Sequence, residues 1–139
     1  MKPPLVSGPV TILRDCLDTL ARLCEGPVEQ GGHLLGTRSP RGCLIYGALP
    51  LSRSLRTPLG FLPERWRPSR GRGEMVGWFH SHPGRDVHLS RADVRVHRHL
   101  FPRGDGLALV LGGIDRRPGT ALALYTGSPP RAVEVLRVL

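Results

Sequence analysis

Apolar residues between Thr11 and Cys24 return every three or four positions, as Ile12, Leu13, Cys16, Leu17, Leu20, Leu23 and Cys24, with Arg14, Asp15, Asp18 and Arg22 between them. That period lines one face of a helix, which Gly26-Pro27 ends. The runs "VEQGGHLLG" and "CLIYGALP" flank "TRSPR", whose serine, proline and arginines suit a turn, so the pair predicts a hairpin. From Leu51 to Gly73 no period is sustained, and the segment, rich in arginine, proline and glycine, reads as a long loop. A third strand, "EMVGWFHSH", stops at Pro83-Gly84. After "PGRDVHL", the segment "SRADVRVHRHLF" places Ala92, Val96, His99 and Leu100 at helical spacing and closes at Pro102. Then "GLALVLGG" and "TALALYTG" alternate as strands around "DRRPG", and "AVEVLRVL" offers one more. The expected fold class is α/β (α+β): one mixed β-sheet covered by two main helices. Its 139 residues suit a single domain over 1–139.

Composition narrows the classes. The longest apolar run, "GLALVLGGI", is far short of the ~20 residues a membrane span needs. The beginning "MKPPLVSGPV" has no apolar core of a secretory signal, so a cytoplasmic location is expected. Cys16, Cys24 and Cys43 form no C-x-x-C pair and are expected as buried, reduced thiols. A formal charge of +9 would suit nucleic acid or an acidic protein. Arginine is strongly preferred over lysine, as a GC-rich coding sequence also produces. Aromatic residues are only 5% of the chain, which weakens a stacking platform for single strands. A basic nucleic-acid-binding protein is therefore the weaker reading.

The chemistry concentrates in "HSHPGRDVHLSRAD", residues 80–93. Side chains two apart on a strand share a face, so His80 and His82 present two imidazoles together, with Ser81 turned away. Asp93, eleven residues beyond His82, falls in the first turn of the next helix and can fold back over the strand end. Three such ligands leave a fourth zinc position open for water, the arrangement of a catalytic site. Ser90 and Asp93 also fit a helix cap, which is what that spacing alone more often means. An H-x-H pair alone occurs in amidohydrolases and metallo-β-lactamases too. The first of these needs a barrel of ~250 residues, and the second a further Asp-His directly after the pair. Spacing leaves Glu25, Glu29, Glu64 and Glu74 open as the acid that would complete the site. His88, His97 and His99 read as solvated or helix-packing side chains. His33 reads as packed in or beside the sheet, Trp78 as core or pocket wall, and Asp86 as a solvated loop carboxylate.

The joint pattern, His-x-His-Pro, six residues, then Ser-x-x-Asp, resembles the signature of the JAMM (MPN-plus, JAB) zinc metalloproteases, in a compact prokaryotic-type form. The resemblance selects Glu29, in "EQGGHLLG", as the upstream acid, and implies the JAMM/MPN (cytidine-deaminase-like) fold. By it, His80, His82 and Asp93 bind one Zn2+ ion carrying a water, and Glu29 takes a proton from that water. Ser90 would donate a hydrogen bond to the oxygen that becomes negative in the tetrahedral intermediate. The implied activity is hydrolysis of an amide bond after the C-terminal Gly-Gly of a ubiquitin-like or sulfur-carrier protein. The alternative within the family is a catalytically silent MPN scaffold. The arginine-rich loop from Arg53 to Arg72, just before the ligand strand, is expected to contact the partner or cover the cleft.

Overall fold

The computed structural model describes residues 8–25, 28–50, 55–57, 60–62, 74–84, 86–112, 121–134 and 136–139, with only the backbone path for 55–57 and 60–62. The elements are β1 (Val10–Ile12), α1 (Arg14–Leu23), β2 (Gly31–Ser39), β3 (Gly42–Pro50), β4 (Leu55–Thr57), β5 (Gly60–Leu62), β6 (Glu74–His82), α2 (Arg91–Leu100), β7 (Leu107–Gly112), β8 (Ala121–Thr126), β9 (Arg131–Ala132) and β10 (Leu136–Val138). Eight strands form one mixed sheet in the order β10-β1-β3-β2-β6-β7-β8-β9, and β4 and β5 pair separately. The expected architecture, one mixed sheet with two main helices, is the one observed.

Two expectations are corrected at the ends of the chain. The periodic segment expected to be helical from Thr11 begins as a strand. Val10 and Ile12 insert between β3 and β10, parallel to both, and the helix starts at Arg14. β-branched residues suit that half-buried, pleated position. The final apolar run, expected as one strand, splits into β9 on one edge of the sheet and β10 on the other. Only four residue steps separate Ala132 from Leu136, a reach of at most ~14 Å. Eight flat strands would spread over roughly 34 Å. The sheet must therefore curl until its two edges nearly meet.

The curl encloses one large core. Helix α1 buries Cys16 and Leu20 among Val10, Ile12, Leu34, Ile45, Val76, Phe79, Leu107, Leu109 and Leu111. The opposite face of the sheet meets α2 through a smaller cluster of Trp78, Val96, Phe101 and Ala108. A register shift between β2 and β6 sets which residue goes where: Leu34 pairs with Gly77 and Leu35 with Met75, leaving Val76 as an extra residue. Such a bulge reverses the alternation beyond it. Val76 and Phe79 thus enter the large core, while Trp78 joins the α2 cluster. Gly77 lies where β6 runs close against β7, and a Cβ there would clash with the Leu107 carbonyl oxygen.

Inside the segment expected as a long loop, β4 and β5 form a short hairpin. The role foreseen for residues 53–72 concerns side chains that lie outside the described residues. No helix among the described residues is long and apolar enough to cross a membrane.

Candidate metal centre

Strand β6 is buried from Val76 to His82, with β2 on one flank and β7 on the other. At its end the imidazoles of His80 and His82 meet edge to face, their Nε2 atoms 2.7 Å apart. Asp93 spans the pair. Its Oδ1 lies 3.1 Å from His80 Nε2 and its Oδ2 3.1 Å from His82 Nε2. The carboxylate reaches them because α2 begins directly above the strand end.

That helix start has its own local cause. Ser90 is the N-cap in extended conformation, and its Oγ accepts the Asp93 N–H at 3.1 Å. The Ser90 N–H donates in return to Asp93 Oδ2 at 2.9 Å, closing a capping box. Both readings of this pair are thereby physically compatible. A hydroxyl that accepts one bond still has a proton to donate. Burial alone would raise the Asp93 pKa; hydrogen bonds from His80, His82 and the Ser90 backbone outweigh it and hold the carboxyl well below the usual range. It is an anion facing two imidazoles.

The fourth member comes from across the sheet. Gly31 of β2 pairs with His80, and the chain before it is clamped to Ser81 by two bonds. Gln30 N–H donates to Ser81 Oγ at 2.8 Å, and Ser81 N–H donates to the Gln30 carbonyl at 2.9 Å. This clamp puts half-buried Glu29 at the mouth of the cluster. One ligand atom from each of Glu29, His80, His82 and Asp93 lies within 4.8 Å of the others. Glu25 and Glu74 are exposed and outside this group, and Glu64 lies outside the described residues. Reading Ser81 as merely turned away missed this link, because it spans 51 positions of sequence.

The donor set suits a divalent ion. Zinc–nitrogen and zinc–oxygen bonds of ~2.0–2.2 Å would space tetrahedral donors ~3.3 Å apart. The observed 2.7–3.1 Å spacings therefore need only small side-chain rotations. His82 is already set for this: its Nδ1 hydrogen-bonds the Asp86 carbonyl at 2.9 Å, leaving Nε2 toward the cluster.

Residues 64–101 match the family described as JAB1/Mov34/MPN/PAD-1 ubiquitin protease, a span that includes His80, His82, Ser90 and Asp93 but not Glu29. A JAB1/MPN domain protein from Archaeoglobus fulgidus superimposes with a TM-score of 0.59 at 20% identity, covering 93% of this chain and 98% of that one. A structure described as a JAMM metalloprotease-like zinc site in the proteasome and signalosome gives 0.58 at 18% identity, covering 94% and 98%. The chain has the fold of the JAB1/MPN proteins. A protein from Desulfitobacterium hafniense shares the fold at a TM-score of 0.64 and 19% identity, with 94% of both chains covered. No curated protein matches the sequence.

The other histidines divide by environment. His88 is exposed beside the Asp86 carboxylate at 3.3 Å, and His99 is exposed on α2. His33 is buried within β2. His97 is no solvated side chain: it is wholly buried and accepts the Trp78 indole N–H at 3.1 Å. Asp86 is exposed as expected, but its backbone carbonyl holds His82. Backbone partners of that kind leave no trace in residue type. Tyr125 contributes in the same way, donating from its hydroxyl to the Val87 carbonyl at 2.7 Å and so pinning the connection between His82 and Asp93.

Proposed function

We propose that this chain is a member of the JAB/MPN family and a zinc-dependent isopeptidase or peptidase that hydrolyses the amide bond after the C-terminal Gly-Gly of a ubiquitin-like or sulfur-carrier protein. The observation that carries the hydrolase reading is the convergence of Glu29, His80, His82 and Asp93 at the end of β6. The ubiquitin-like substrate class is supported by the family description matched over residues 64–101. We place the protein in the cytoplasm and treat residues 1–139 as one catalytic domain.

His80, His82 and Asp93 are the residues that would hold the ion. When bound there, zinc supplies Lewis acidity toward the amide carbonyl and a water made acidic enough to attack at neutral pH. The chain's own groups carry the rest. Glu29, half-buried at the mouth, takes the proton released by the attacking water and returns it to the departing amine. Ser90, with its hydroxyl proton free while Oγ caps the helix, donates to the oxygen on which negative charge develops. The Ser81–Gln30 clamp keeps Glu29 at working distance when substrate enters.

The test uses metal analysis together with mass spectrometry of ubiquitin-like and sulfur-carrier proteins extended past Gly-Gly. Wild type is expected to carry one zinc and release the extension. Glu29→Gln should retain zinc and lose ~100 to 10,000-fold in rate. His82→Ala should lose the zinc. Stoichiometric zinc without hydrolysis of any extended carrier would replace this reading by a silent scaffold.

A further inference from the structure

The two imidazoles of the metal centre are held by different means. His82 has the common arrangement, a ring nitrogen hydrogen-bonded to a backbone carbonyl. His80 is wholly buried, and its Nδ1 has no hydrogen-bond partner among the described residues. Besides the Asp93 carboxylate at Nε2, what holds that ring's plane is a stack: the Trp78 rings lie parallel to it, with centroids 4.7 Å apart and planes within 6°. Trp78 is itself wholly buried, and its one polar atom is anchored by His97 Nδ1 at 3.1 Å. His97 stands one helical turn beyond Asp93 on α2, so the same helix supplies a ligand and the anchor.

We infer that His97 is a positioning residue for the metal ligand His80, acting through Trp78. The indole N–H fixes the plane of Trp78, and the plane of Trp78 fixes the imidazole that would otherwise turn about its side-chain bonds. An imidazole bound to a cation is electron-poor, so the electron-rich indole face also favours the loaded form. His97 must offer an unprotonated Nδ1 for this. Burial among the α2 cluster lowers its pKa and keeps it neutral, against the opposing pulls of the Gly127 backbone and the Asp105 carboxylate. Outer partners of metal ligands are typically worth ~10–100-fold in metal affinity.

The inference rests on the metal-binding reading of the site, and the experiment separates the two. Cobalt(II) affinity is measured by competition with a chromophoric chelator, alongside the visible spectrum of the bound ion and the melting temperature of the metal-free protein. His97→Leu, which leaves the indole N–H unpaired, should weaken cobalt by ~10-fold or more and alter the spectrum. His97→Asn, whose side-chain oxygen can take the place of Nδ1, should stay within about threefold of wild type on the same scale. Trp78→Phe keeps a ring on His80 but removes the anchored N–H, and should weaken cobalt several-fold. In that background, His97→Leu should add nothing. Equal losses in His97→Leu and His97→Asn, or additive losses in the double variant, would show a packing role only and overturn the inference. Should His97→Leu fail to fold, Trp78→Phe decides: wild-type affinity and spectrum there overturn it. Wild type that takes up no cobalt sinks the metal-site reading, and this inference with it.

Discussion

Replacing Ser90 with alanine separates two jobs that one hydroxyl is proposed to do. Its Oγ accepts the Asp93 N–H at 3.1 Å, and loss of such a cap costs ~1 kcal/mol. For 139 residues that shifts the melting temperature by roughly 3–4 °C. Against a typical domain stability of ~5–15 kcal/mol, the folded fraction at 25 °C hardly changes, so the cap alone should not alter turnover. Asp93 also keeps its bond from the Ser90 backbone at 2.9 Å, so metal affinity should fall by less than ~10-fold. If the hydroxyl also stabilises the developing oxyanion, turnover should fall ~100 to 1,000-fold at saturating metal. The control is Ser90→Gly, since glycine at an N-cap costs only a few tenths of a kcal/mol and has no side-chain donor. Melting temperature, metal affinity and single-turnover hydrolysis are measured on all three proteins. Ser90→Gly should recover most of the melting temperature and not the rate. Recovery of both would reduce Ser90 to a cap and refute the catalytic argument.

Three further outcomes follow from the buried thiols and from half-buried Tyr125. Burial pushes the thiols of Cys16, Cys24 and Cys43 up to about 11, 12 and 11, the last also tuned by Arg38 and Glu74, so none should react with a thiol reagent at pH 8 until the protein is denatured. Because the folded values exceed the unfolded value near 9, this contribution to stability is complete below pH ~9. It falls as pH rises toward 11–12, where urea midpoints should drop; midpoints flat to pH 11 would contradict it. Tyr125→Phe deletes the bond to the Val87 carbonyl beside the Asp86 support of His82. A loss of ~1 kcal/mol predicts metal dissociation about fivefold faster, and an unchanged stopped-flow rate would show that the connection needs no pin.

Much of the fold was legible because local pattern and global role agree. The strand "EMVGWFHSH" appears as β6 with the expected bounds, since one apolar stretch ends at Pro83-Gly84. The second helix was legible from its cap and its apolar spacing. The first strand was not, because three residues carry no period of their own; Val10–Ile12 is a strand only because β3 and β10 stand on either side. The split of the last apolar run likewise depends on the curl of the whole sheet. At the site, spacing suggested that His80, His82 and Asp93 could meet, but four glutamates stood open until the family resemblance chose Glu29. The structure brings Glu29 to the other three through Ser81 and Gln30, a contact between neighbouring strands whose residues lie 51 positions apart in sequence. Of the two readings open for His97, solvated or helix-packing, the structure shows the packed one; its partner, Trp78, belongs to another element and left no mark in the spacing.

Strand β6 sits in the middle of the sheet, bonded along both sides and shielded on both faces. To expose the amides leading up to the two imidazoles, the molecule must tear in half; peripheral fraying at β9 or β10 will not do it. Solvent deuterium should thus reach residues 76–82 last. With a metal held there as proposed, a chelator should therefore strip the ion without melting the cradle, leaving an apoprotein that reloads quickly.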